Sequence, residues 1–250
     1  MKYSSRFWLY APTGLFLLLA VAVMVHWWMA AGAFEKKLAA LKGREAVPGI
    51  ILTWATAEVG GFPFRLDANF QNLSVAGAGA HGPFSWRSEK FAMHGLTYGR
   101  SQDVYEATGR QQVSWTDATS GHHTASFLSG SMRGSSIQNA QGLRRFDLDI
   151  VDLEASDFAA GRFQFHLRRT GGGLDMMVKI DTLQPRDAKP GNLQFYATLN
   201  PAGPLHALLD GTTSWPTAAG GWRAQGGTAK LSQAVTTGEI TPQMVLSALY

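Results

Sequence analysis

From Phe7 to Phe34 the chain carries no Asp, Glu, Lys or Arg, an uncharged run of 28 residues. No other feature restricts the fold as strongly. As a helix this run would reach roughly 42 Å, against a hydrocarbon layer of about 30 Å. Trp8 and Tyr10 near its start, and Trp27 and Trp28 near its end, fit the aromatic belts at the two faces of a membrane. A cleaved signal peptide is the competing reading, because Ala31-Gly32-Ala33 forms an A-x-A site. The apolar stretch before that site is longer than the h-region of about 7 to 15 residues, however, and Trp27-Trp28 stand where small residues are usual. The sequence therefore predicts a retained signal-anchor over residues 7–33, preceded by a cytoplasmic terminus over 1–6.

Basic residues flank both ends of the run (Lys2 and Arg6 before it, Lys36 and Lys37 after it), so charge gives only a mild preference for orientation. The long soluble remainder, with no second span, points to a single pass with the main domain on the side of the membrane opposite residues 1–6. Residues 34–47 are expected to form a membrane-proximal helix or linker, with Phe34, Leu38 and Leu41 at helical spacing and Gly43 at its end.

After Pro48 the hydrophobic period changes to two. Short alternating or apolar runs recur between Gly, Asn and Ser, as in an antiparallel sheet. Strands are predicted near 50–59, 62–70, 72–76, 84–98 with a break, 103–107, 111–116, 124–132, 144–153, 159–169, 174–182, 192–199 and 220–231. The clearest hairpin runs from Phe163, Phe165 and Leu167 through "RRTGGG" into Leu174, Met176, Val178 and Ile180. A helical turn is expected near Leu205–Leu209, and a short C-terminal helix after Thr241-Pro242. "FPFRLDANFQNL", "RRFDLDIVDLEA" and "GRFQFHLRRTGG" share a strand pattern without a fixed period, which suggests one continuous sheet. The fold expected for 48–250 is mainly β: a large curved antiparallel sheet forming a groove or sandwich, with short helices.

Several chemistries are poorly served. The chain has no cysteine, which excludes disulfides and thiolate sites. Its net charge is +4, but without Lys2 and Arg6 there are 20 basic against 18 acidic residues, and no basic stripe that would suit nucleic acid. Gly77, Gly79 and Gly82 have dinucleotide-loop spacing, yet "FSWRSEKFAMHG" follows, with no helical stripe to receive a phosphate. His122 and His123 are adjacent and would face opposite sides of a strand, and His94, His166 and His206 lack metal-site spacing. "GSMRG" and Ser88-Glu89-Lys90 match no serine nucleophile motif. No catalytic residue, metal or cofactor is expected.

Trp54, Gly60-Gly61 and "FPFRLD" (Phe62 to Asp67), following a single N-terminal span and a short helix, resemble the family named domain of unknown function 2125, found in alphaproteobacteria. The resemblance implies a β protein anchored by a single pass in the bacterial inner membrane, with its main domain in the periplasm, and carries no catalytic residue. In architecture it is similar to AsmA-like proteins, whose curved sheets present an apolar concave face.

The leading expectation is a non-enzymatic sheet groove for lipid or another apolar envelope molecule. Phe62, Phe64, Leu66 and Phe70 would line it, together with Phe146, Leu148, Phe163 and Phe165. The same residues would serve equally as an ordinary closed core. A scaffold partner in an envelope complex, joined through exposed strand edges, is the alternative function.

Overall fold

The computed structural model describes residues 5–79, 82–96, 101–116, 121–186 and 188–237. Helix α1 runs unbroken over Ser5–Leu41, so the apolar run and the segment after it form one rod of about 55 Å. Gly43 ends it with φ +73°, the left-handed turn that glycine adopts without strain. Trp8–Leu41 is long and apolar enough to cross a membrane. Past Trp28, the side chains of Phe34, Leu38 and Leu41 pack on the sheet instead.

The chain then forms β1 (Glu45–Val47), β2 (Ile50–Thr53), β3 (Thr56–Gly60), β4 (Arg65–Ala78), β5 (Pro83–Leu96), β6 (Gln102–Thr116), β7 (His122–Asn139), β8 (Gly142–Ala155), β9 (Phe158–Arg169), β10 (Leu174–Pro185) and β11 (Gly191–Asn200). Helices α2 (Gly203–Leu209) and α3 (Trp215–Ala224) and strand β12 (Thr228–Thr236) follow. All twelve strands join one antiparallel sheet in the order β1-β2-β4 and onward to β12, with β3 also paired to β4. The expected mainly β architecture is present, and the predicted Phe163–Ile180 hairpin forms, pairing Phe163 with Ile180 and Phe165 with Val178.

Several boundaries differ from the sequence reading. Residues 50–59 form two strands that pair with opposite halves of β4. Predicted pairs of short strands, 62–70 with 72–76 and 103–107 with 111–116, are each one long strand. The reason is a line of kinks across the sheet. Residues facing inward skip one place from Phe70 to Leu73 on β4, and likewise from Ile150 to Leu153 on β8 and from Ile180 to Leu183 on β10. Asn72, Asp152 and Thr182, at φ +52°, +51° and +54°, and Gly109, at φ +76°, occupy the kinks on every second strand. A sequence period that slips by one resembles two strands; a bulge keeps the ladder continuous through it. Gly130 and Gly161 lie opposite Asp152 and Thr182, where a Cβ would come within 3.3 Å and 3.4 Å of those side chains' Cβ atoms. Fully buried Gln111 directs its amide nitrogen to the Thr108 and Gly109 carbonyls at 3.4 Å.

The segment predicted as a strand at 220–231 is α3 followed by β12. Pro216 in the first helical turn starts α3, and Ala218, which has no bulk, is buried beneath it. The Leu205–Leu209 turn is α2, as expected. The predicted helix after Thr241 lies outside the described residues.

The α2–α3 pair shows that the sheet is rolled. A flat sheet would separate β1 from β11 by about 43 Å. The chain from Asn200 to Gly211, including α2, can span at most about 28 Å. Yet a Cβ on Gly211 would lie 3.4 Å from Val47 of β1, and Leu208 and Trp215 gather with Ile50, Phe84 and Trp115. The Arg169 guanidinium donates to the Asp210 carboxylate and to the Gln141 carbonyl, tying the end of α2 to the turns at the ends of β7 and β9.

Candidate functional site

Antiparallel register gathers apolar side chains from distant parts of the chain into rows on the inner face. One row reads Phe70, Phe91, Ala107, Met132, Ile150, Phe163, Ile180 and Leu193 from β4 to β11. The next reads Ala68, Met93, Tyr105, Gly134, Leu148, Phe165, Val178 and Phe195. Such a face must be covered or left wet.

Both flanks are covered. Over β4 and β5, Phe34, Leu38 and Leu41 of α1 pack against a buried cluster of Trp54, Ala68, Phe70 and Leu73. Trp54 meets Phe70 edge-on at 5.2 Å. Over the far strands, Leu205 of α2 and Trp222 of α3 pack with Leu174 and Leu199.

Between these lids the middle strands leave a groove of about 440 Å³. Its wall is made by Trp86 and Phe91 of β5, Tyr105, Ala107 and Val113 of β6, Phe127, Met132 and Gly134 of β7, and Phe146, Leu148 and Ile150 of β8. Most are only half-buried. Gly134 contributes to the width, since a Cβ there would stand 3.5 Å from the Tyr105 ring. The one hydroxyl in the wall, on Tyr105, is paired with Ser136 at 2.8 Å. Burial pushes the Tyr105 pKa up, and the charge of Asp103 adds to it, over the opposing hydrogen bond to Ser136. The phenol therefore stays neutral and the groove presents no charge.

The predicted groove residues divide. Phe146 and Leu148 line it. Phe165 touches it through Phe146, with ring centroids 6.3 Å apart, and Phe163 packs with the buried Ile150 cluster. Phe70 is buried in the cluster under α1, and Leu66 is buried on the same strand, at 6% and 5% exposure. Phe62 and Phe64 are not on a strand: they occupy the turn before β4 and are 54% and 56% exposed. Gly61 at φ +95°, with the Arg65 carbonyl 2.8 Å from where its Cβ would be, shapes this turn. Strand β4 itself sits between β2 and β3 on one side and β5 on the other. The residues that the sequence reading missed, from Trp86 to Met132, alternate visibly on their own strands, but only the register places them together.

On the outer face two ionic clusters repeat one design. Asp67 lies 2.8 Å from the Arg65 guanidinium and 3.0 Å from His94 Nδ1, the latter out of line for a hydrogen bond. Asp147 lies 2.7 Å from Arg145 Nε and 2.5 Å from His166 Nδ1. Burial alone would raise the Asp147 pKa, but hydrogen bonds to His166 and Arg145 outweigh it and hold the carboxyl below its ordinary value. Arg, Asp, kink residue and Leu have equal spacing in 65–73 and 145–153, and His94 and His166 each pair directly with their Asp. Asp149 holds Arg162 through two hydrogen bonds. Among the described residues no group of three His, Asp or Glu could hold a metal ion.

The glycines of Gly77, Gly79 and Gly82 lie at the β4–β5 connection, where Gly79 N donates to Gly82 O at 2.6 Å. They lie in a strand-to-strand connection, where β5 and not a helix follows β4 in the chain.

Among known proteins, the family described as "Uncharacterized protein conserved in bacteria (DUF2125)" matches residues 27–241. No curated protein and no solved structure matches the chain.

Proposed function

The chain belongs to the DUF2125 family, and we propose that it is a membrane-tethered binding protein whose sheet groove takes the acyl chain of a lipid or a similar apolar envelope molecule. The observation that carries this reading is the uncovered middle of the inner face: about 440 Å³ walled by aromatic and aliphatic side chains, with its one hydroxyl already paired. Small-molecule sites commonly enclose about 300 to 1,000 Å³. Burying about ten methylenes there would yield up to roughly 8 kcal/mol before ordering costs. In this reading α1 stays in the inner membrane and the sheet domain stands in the periplasm. The protein then binds rather than catalyses.

Native mass spectrometry of gently purified protein tests this, together with titration of a fluorescent fatty acyl probe. The expected result is co-purified lipid, saturable probe binding, and loss of both in Leu148→Trp, which fills the groove. A lipid-free protein that ignores the probe would contradict it.

One observation favours a second reading, a scaffold joined by edge pairing. Strand β12 ends the sheet, and Leu231 and Val235 on it are 58% and 46% exposed. Crosslinking in cells that recovers one stoichiometric partner through β12 would support that role.

A further inference from the structure

Phe62 and Phe64 leave the groove, and their position suggests another use. Trp8 and Trp27 are nineteen residues apart on α1, a rise of about 29 Å, which matches the roughly 30 Å hydrocarbon layer. Trp27 thus stands at the bilayer interface when α1 spans. Its indole Nε1 donates to the Arg65 carbonyl at 2.8 Å, and its ring meets Phe62 edge-on with centroids 5.5 Å apart. These two contacts hold the Gly61–Phe64 turn at the depth of the aromatic belt. Phe62 and Phe64 are the most exposed aromatic side chains of the described β domain. Beside them the Arg65 side chain is 59% exposed.

We infer that this turn is a second membrane contact, in which Phe62 and Phe64 enter the interface next to Trp27 and Arg65 meets lipid phosphates. The occupant is the bilayer surface itself. Aromatic rings are favoured at that level, and an adjacent guanidinium suits anionic headgroups. The consequence is orientation: the domain does not swing on α1 as on a flexible tether but rests on the membrane by the end of β4. The inference rests on α1 spanning the bilayer.

The chain has no cysteine, so single labels are clean. Full-length protein carrying an environment-sensitive fluorophore on L18C, F62C, F64C or A78C is reconstituted into phosphatidylcholine vesicles with phosphatidylglycerol. Quenching by lipids that carry nitroxides at shallow or deep positions then reports depth. The expected result is deep quenching at residue 18, shallow quenching with a blue shift at residues 62 and 64, and an aqueous signal at residue 78, at the far end of β4 and about 43 Å along the strand from Arg65. Aqueous signals at residues 62 and 64 beside a quenched residue 18 would overturn the turn contact while leaving the span intact. An unquenched residue 18 would overturn the span and the contact with it, and equal shallow quenching at residue 78 would overturn the orientation.

Discussion

The β4–β5 and β8–β9 hairpins carry one local design and meet different ends. Each has an outward Arg-x-Asp facing a His on the next strand, inward apolar residues, and a left-handed kink before a Leu. Over the first hairpin, α1 supplies Phe34, Leu38 and Leu41, and the face becomes core. Over the second, Phe146 and Leu148 are left half-buried at the wall of a groove. Local pattern fixes strand, kink and ion cluster; a lid from elsewhere in the chain decides whether the face is core or site.

The largest expected effect separates these two fates. Phe70→Ala should destabilise by about 3–5 kcal/mol, because it empties a covered site. Leu148→Ala should remove under about 2 kcal/mol, since its neighbours are already open. Urea unfolding of both variants checks this; equal losses would mean that the groove is closed core.

The kinks should behave alike in the two hairpins. Asn72→Val and Asp152→Val each place a β-branched side chain at positive φ and should each cost about 1–3 kcal/mol. A much smaller loss for one of them in the same urea titration would show that its kink is dispensable and the repeat only superficial.

The smallest effect concerns the ion cluster of the second hairpin. The Asp147 carboxyl is held below its ordinary value in the fold, so its contribution is present above the unfolded value of about 3.9 and is lost as pH falls through the folded one. Asp147→Asn should therefore flatten the acid limb of the stability profile and lower stability at neutral pH. A wild-type-like acid limb in thermal melts across pH would refute the coupling.

Much of this was legible in the sequence, for stated reasons. The uncharged run fixes α1, and period-two alternation with glycine turns fixes a continuous antiparallel sheet. The kinks show only as breaks, because a one-residue slip in alternation looks like a strand end; the predicted strands break at 71, beside Asn72, and over 108–110, around Gly109. Phe62 and Phe64 continue the alternation of Leu66 to Phe70, yet Gly61 turns them off the sheet. Alternation cannot report that. The start of the 220–231 segment reads as strand because Trp222 and its neighbours are apolar enough for either, while the helix is set by Pro216 and by packing on α2. Which face stays open depends on contacts between α1, α2, α3 and strands far from them in the chain, which no local pattern carries.

The central claim is that the middle of the inner face is open to an apolar ligand. Photocrosslinking full-length protein with a diazirine fatty acid, followed by peptide mapping, tests it most directly. Adducts should concentrate on Met132, Phe146 and Leu148 and vanish in Leu148→Trp. Adducts confined to α1, or spread over the outer face with no change in that variant, would contradict it.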